Sequence, residues 1–411
     1  MFLLQARHGT RAPTKKKMRE LEALSLRLGI LLQNAKEQKV SLQKLPSWLW
    51  GWKSPWEGKV KGGELISQGE EEMYNLGIRI RESFSQLFSE EYHPDVYPIK
   101  ATQNYKVQSR QLFLADLTVN VVDILGLTYQ FNFVLHILVR MLKLYYAFRK
   151  SQEPVADKLK KPVLEEITHA LVKHYELNFT QQDTSSLWFL CKQEAALLNI
   201  TDQACALFSP SEVSSLEWAD DLEMFVLKGY GNSLNYRMGV PLLEDVIQSM
   251  EQAIKALEEE HAPGSYEKAR LRFAHAETLV PFSCLLGLFL DRPEFELIQR
   301  EQPLQLPPKP PQRRKWRGSI VAPFGGNNIL VLYSCPANNA SKYFVQVLHN
   351  EHPVPMPEKI GAPHLKHKYD AVCNVKMESS EHKSLFSKLL KMLRGLFLPS
   401  NDETLSNKVE L

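Results

Sequence analysis

The chain is predicted to be an α/β protein with a mostly parallel central sheet flanked by helices and a mainly α-helical lobe inserted into it. Three observations predict this. An apolar strand, a polar loop and an amphipathic helix follow one another at the amino terminus; long helical segments with few strand candidates occupy 106–246; and strand patterns return after 269. Residues 1–105 and 247–411 are therefore assigned to the α/β core and 106–246 to the inserted lobe.

Each element has its local reason. "MFLLQ" is a short apolar run of the kind buried strands use, and Pro13 suits the first turn of a helix whose Met18, Leu21, Leu24, Leu28 and Leu31 recur at helical spacing. "WLWGWKSPW" at 48–56, broken by Pro and Gly, reads as a packed loop. A helix is expected from about Ser67 through Arg81, and "VYPIKAT" at 96–102 suits a strand. Leu242, Leu243, Val246, Ile247, Met250, Ile254 and Leu257 share one helix face, which "HAPG" at 261–264 ends. "RLRFAHAE" reads as a strand finishing at His275, followed by an apolar helix from about 278 to 290. After a Pro-rich linker, "GSIVAPF", "NNILVLYSC" and "KYFVQVLHNE" read as strands, with "GGNN" a hairpin signal between the first two. The tail after about 376 reads as helical to 397.

The 411 residues are 44% hydrophobic and 24% charged, as in an ordinary globular protein, and the net charge of +3 is too mild for a non-specific nucleic-acid binder. Trp48, Trp50, Trp52 and Trp56 are not interleaved with basic residues, so they are assigned to packing rather than to base stacking. "FNFVLHILVRMLKLYYAF" at 131–148 is interrupted by His136, Arg140 and Lys143, so no integral membrane segment is expected. No signal peptide precedes the first charge, Arg7. Five cysteines, N-x-[ST] acceptors at Asn178, Asn199 and Asn339, and the terminal "KVEL" nevertheless favour an endoplasmic-reticulum lumenal or secreted protein whose start is missing.

The chemistry concentrates in "RHGTR" at 7–11. A neutral imidazole attacks phosphorus to form a covalent phosphohistidine, and the equatorial oxygens must then be held by fixed cations, which the arginine fork does with two hydrogen bonds per contact. Arg7 and Arg11 flank His8 as that demands, and Gly9 is expected to let backbone approach the phosphate. A lone R-H-G occurs by chance in many chains. "HAET" at 275–278 raises the odds: His275 is placed to complete the clamp, and Glu277 to protonate the leaving alkoxide and later deprotonate the attacking water. "HNEH" at 349–352 and "HLKH" at 364–367 have no third ligand at standard spacing and are assigned to surface histidines. There is no P-loop, dinucleotide fingerprint or Cys-x-x-Cys pair, and no metal or other cofactor is expected.

On Arg7-His8-Gly9-Thr10-Arg11-Ala12-Pro13-Thr14 and His275-Ala276-Glu277 the chain resembles the histidine phosphatases of the acid-phosphatase and phytase branch, and within them the multiple inositol polyphosphate phosphatases. Weaker similarities lie at 65–81, 228–235, 316–333 and 344–351. The resemblance implies a histidine-phosphatase-like core with a helical lobe closing over the site, His8 as nucleophile, Arg7, Arg11 and His275 as phosphate ligands, and Glu277 as proton donor. It also implies a Cys191–Cys205 disulfide and a lumenal address. The substrate it implies is an inositol polyphosphate such as inositol hexakisphosphate, with 2,3-bisphosphoglycerate second.

Of the basic residues after the motif, Lys15 and Lys17 are assigned to a solvated face, and Lys16 and Arg19 to substrate contact. Two departures stand out. Members of the family carry a longer segment ahead of the motif, and Tyr105 falls about where they place a third phosphate-binding arginine, with Lys106 and Arg110 as substitutes. The alternative function is therefore a catalytically impaired inositol-phosphate-binding homologue.

Overall fold

The computed structural model describes residues 1–39, 43–59, 61–89, 91–101, 135–262, 264–300, 302–304, 306–335 and 343–354. Tyr105, Lys106, Arg110, Asn339, "HLKH", the helix expected after 376 and the terminal "KVEL" lie outside the described residues.

The amino-terminal strand, β1 (Phe2–Arg7), sits in the middle of a six-stranded sheet of order β2-β3-β1-β4-β5-β6. Strand side chains alternate between faces, and β1 uses both. Phe2, Leu4 and Ala6 join one core layer with Met73, Leu76 and Ile80 of α2 (Ser67–Ser83). Leu3 joins the opposite layer, with α7 (Val240–Glu258) and α8 (Ala276–Leu285). Burying a side chain such as Phe2 or Leu4 contributes roughly 2 kcal/mol, so the strand that carries the motif is among the best anchored in the molecule.

The sheet corrects the expectation of a mostly parallel one. β1 runs parallel to β3 (Ala269–Ala274), and β3 parallel to β2 (Ile99–Ala101). The remaining pairings, β1 with β4 (Asn327–Ser334), β4 with β5 (Tyr343–His349) and β5 with β6 (His352–Pro353), are antiparallel and outnumber them. Connection length accounts for two of these three antiparallel pairings, those of β5 with β4 and with β6. Parallel neighbours need a long crossover, whereas β4, β5 and β6 follow one another through short connections that permit only antiparallel pairing. The β5–β6 turn is two residues, Asn350 and Glu351, both with positive φ (48° and 68°), the backbone such hairpins require.

"GSIVAPF" is not a strand. Gly318–Val321 forms a short helix, α10, because Ile320 and Val321 both donate to the Arg317 carbonyl and the Gly318 N–H donates to Asp221 Oδ1 at 2.7 Å. Tertiary anchoring overrides the β-branched composition.

Among the described residues, the helices between β2 and β3 include α3 (Leu135–Tyr175) and α4 (Gln181–Gln193), the latter opened by a Thr180/Asp183 capping box. Next come α5 (Pro210–Lys228), opened by a Ser209/Glu212 box, and the short α6 (Ser233–Arg237). The buried leucines of α1 (Lys15–Glu37) pack with residues of α3 and α4 in a third apolar cluster, and α3 lies along α5. A disulfide joins Cys191 to Cys205, as the resemblance implied. Two helices complete the described set in chain order: α9 (Arg292–Gln299), after α8, and α10. No helix among the described residues is long and apolar enough to cross a membrane.

Candidate active site

β1 and β3 are parallel and in register with Arg7 opposite Ala274, so their carboxyl ends deliver His8 and His275 side by side. The His8 N–H donates to Ala274 O at 3.2 Å, and the two imidazole rings meet edge to face with centroids 5.2 Å apart. Residues far apart in the chain thus become neighbours through one strand pairing.

His8 is 1% exposed. Its Nδ1 lies 2.8 Å from the Gly9 carbonyl oxygen, which only accepts, so Nδ1 carries the proton and Nε2 the lone pair. Burial, reinforced by the positive charges of Arg7, Arg11 and His275, outweighs the bond to Gly9 and pushes the imidazole down to about 3. The ring is therefore uncharged at pH values above about 3.

Arg7 lies on the other side of His8. Its Cζ sits 4.2 Å over the ring of Phe324, which also lies 5.7 Å from the His8 ring, and its Nη1 donates to the Ala322 carbonyl. Burial pushes the guanidinium down to about 10, which leaves it charged. Its Nε is buried with no hydrogen-bond partner among the described residues, a donor for which an anion is the natural acceptor. The Phe324 loop closes on the motif through Gly325 N–H to His8 O at 3.1 Å and Arg7 N–H to Gly326 O at 2.8 Å.

Arg11 is held by the segment preceding α2. It forms an isolated bridge with Leu65, while Ala12 N–H donates to Glu64 O at 2.8 Å. Thr10 donates its backbone N–H and its hydroxyl to the two oxygens of Glu72, at 2.7 and 2.6 Å. Gly9 has a structural reason beyond the expected approach to phosphate. It faces the backbone of Gly69 in the first turn of α2, so the absence of a side chain there serves packing of the loop.

Glu277 sits in the first turn of α8, two residues after His275 at the N-cap position. Its Oε1 is 3.3 Å from Lys228 Nζ and 3.4 Å from Arg149 Nη1. Burial alone would raise this carboxyl, but Lys228, its own backbone N–H and Arg149 outweigh burial and hold it well below the usual carboxylate range. Arg7 also lies within its field.

The structure thus brings Arg7, His8, Arg11, His275 and Glu277 to one end of the sheet. It leaves Lys16 and Arg19 exposed on α1, while Lys17 pairs with Glu20 at 2.5 Å and lies over Phe189. The histidines of "HNEH" part company. His352 is exposed, but His349 is 5% exposed, with Nδ1 2.7 Å from Asn328 Oδ1 and Nε2 2.9 Å from Ile320 O. It is a core histidine rather than a surface one.

Sequence reasoning missed Lys228, Arg149, Phe324 and Glu72. Lys228 ends a helix, where a basic residue ordinarily complements the helix dipole. Nothing local marks Arg149. Phe324 lay inside the 316–333 similarity without a role, and Glu72 inside an ordinary polar helix face.

The carboxyl ends of two central strands here set one uncharged imidazole among several fixed positive charges, an arrangement suited to holding and stabilising a phosphoryl group, and a phosphate-handling enzyme is the class this fold and site define. A sequence profile of the histidine phosphatase superfamily (branch 2) matches residues 4–109 and 141–350, and the chain belongs to that family. It is a phosphomonoesterase of the histidine acid phosphatase type. Among curated proteins it is 24% identical over 382 residues to the human multiple inositol polyphosphate phosphatase 1, covering 85% of this chain and 74% of the relative. It is 28% identical over 362 residues to the Gallus gallus protein of that name, covering 85% and 75%. Among solved structures, the Bifidobacterium longum multiple inositol polyphosphate phosphatase in complex with inositol hexasulfate shares the fold, with a TM-score of 0.58 at 17% identity over 86% of each chain.

Proposed function

We propose that this phosphatase hydrolyses inositol polyphosphates, inositol hexakisphosphate foremost, through a phosphohistidine on His8, with 2,3-bisphosphoglycerate as a second substrate. The observation that carries the reading is the His8–His275 pair at 5.2 Å, with Arg7 and Glu277 beside it. In this reading His8 Nε2 attacks phosphorus, the P–O ester bond breaks, and Glu277 delivers a proton to the leaving oxygen. Arg7, Arg11 and His275 hold the equatorial oxygens, and the unpartnered Arg7 Nε supports this role. Glu277 then takes a proton from the water that hydrolyses the phosphohistidine. Rapid quenching with labelled substrate is expected to leave label on the wild-type chain and none on His8→Ala; equal label on both would sink the mechanism.

A second reading, an inositol-phosphate-binding homologue of low turnover, draws support from the two cations that keep Glu277 deprotonated. Tight binding of inositol hexakisphosphate without phosphate release would favour it.

The Cys191–Cys205 disulfide and the exposed acceptors Asn178 and Asn199 support a lumenal or secreted location. A glycosidase-sensitive mobility shift of the cellular protein tests this, and its absence would count against the location.

A further inference from the structure

We propose that Lys228 and Arg149 keep Glu277 ionised until a substrate with several phosphates draws both cations onto itself, so that only a multiply phosphorylated substrate arms the acid. This rests on Glu277 acting as the proton donor in the reading above.

The geometry sets up a competition. Lys228, the last residue of α5, and Arg149, on α3, reach the same oxygen of Glu277 at 3.3 and 3.4 Å. The side chains of the cations are 19% and 23% exposed, that of the carboxylate 38%. The charged groups around Glu277 are Lys228 from α5, Arg149 from α3 and Arg7 from β1; its own backbone N–H in the first turn of α8 adds a hydrogen bond, and His275 stands at the N-cap. A proton cannot settle on that oxygen while two cations face it.

A phosphate dianion carries more charge and more acceptor oxygens than a carboxylate, so it is the stronger partner for both cations. A monoester places its only phosphate beside His8 and leaves the cations on Glu277. An inositol polyphosphate brings neighbouring phosphates to the same mouth and removes them. Glu277 then takes a proton from solvent, gives it to the leaving alkoxide as the P–O bond breaks, and recovers one from the hydrolytic water. The lobe thereby reads the charge of the substrate and sets the protonation of the core.

The probe is inositol hexakissulfate: each sulfate ester carries one charge but three acceptor oxygens, so several on one ring compete for the two cations together, and because these esters do not titrate, any proton taken up on binding goes to the protein. Titration calorimetry of the full chain at about pH 5.5, in two buffers of different ionisation heat, is expected to show uptake of about one proton per site. Glu277→Gln, an isosteric change, is expected to lose that uptake. The Lys228→Gln/Arg149→Gln double variant is expected to bind roughly tenfold more weakly or worse and to take up less. Wild-type binding without uptake, or the same uptake in Glu277→Gln, overturns the proposal; the first outcome needs no variant to fold. If inositol hexakisphosphate is hydrolysed but uptake is missing, this inference fails alone. No binding at all overturns it together with the reading beneath it.

Discussion

A methyl group on Gly9 would sit 2.1 Å from the carbonyl oxygen of Gly69, and one on Gly69 would sit 1.9 Å from that of Thr10. Both obstacles are backbone atoms that cannot swing aside. The loop carrying His8 and Arg11 is therefore shaped by the first turn of α2, and the pair of hydrogen bonds that Thr10 donates to Glu72 holds it there.

Gly9→Ala is expected to cost about 3 kcal/mol of unfolding free energy, the upper range for forced overpacking. It should also abolish label on His8, because relief of the clash moves the loop. A denaturant melt with an unchanged midpoint would count against this contact.

Glu72→Ala strands both donors of Thr10, at a cost of about 2 kcal/mol. Turnover should fall with it, since Arg11 follows Thr10 directly. Glu72→Gln retains one acceptor and is expected to recover part of both losses; equal damage from the two variants would show that Glu72 acts otherwise.

The buried His8 makes stability depend on pH with a definite sign. Below its ordinary pKa of 6.5 the unfolded chain binds a proton that the folded ring refuses until about 3. Between those limits the unfolded state holds more protons, so this residue lowers stability as pH falls and restores it as pH rises. His8→Gln is expected to flatten the dependence of unfolding free energy on pH between about 6.5 and 3. Parallel curves for the two proteins would contradict the burial argument.

Phe324 shelters His8 on one side and carries the Arg7 guanidinium on the other. Phe324→Ala admits water to the imidazole, so its pKa rises toward the ordinary value and the acid limb of kcat/KM moves to higher pH. Loss of the ring face beneath Arg7 should also raise KM. An acid limb that stays in place would mean that Phe324 does not control His8.

The Cys191–Cys205 bridge lies in the apolar cluster of Leu187, Leu207 and Phe208. Replacing both cysteines by serine is expected to cost about 3 kcal/mol, with Trp188 of the same cluster reporting the loosening by fluorescence. Unaltered emission and melting would remove the disulfide from the account of the lobe.

Most of the fold and the centre of the site were legible. The period of Met18 to Leu31 marks α1, Leu242 to Leu257 marks α7, and "RHGTR" and "HAE" each end a strand. Local rules suffice there, because side-chain periodicity and the placement of Pro, Thr and Gly act within one element. The sense of the sheet was not legible, nor was "GSIV" as a helix. Pairing direction depends on which distant strand is adjacent, and a hydrogen bond from Gly318 to Asp221 outweighs local propensity.

By itself, then, the sequence singled out His8, its flanking arginines and the His275–Glu277 pair, since residue type and order mark them for phosphate chemistry. Only the tertiary structure decided that Gly9 packs on the backbone of Gly69, that Lys16 and Arg19 are exposed on α1, and that Lys228 and Arg149 reach Glu277. The physical reason is range: an ion pair between α8 and two lobe helices is set by how those helices pack, and no short stretch of sequence carries that information.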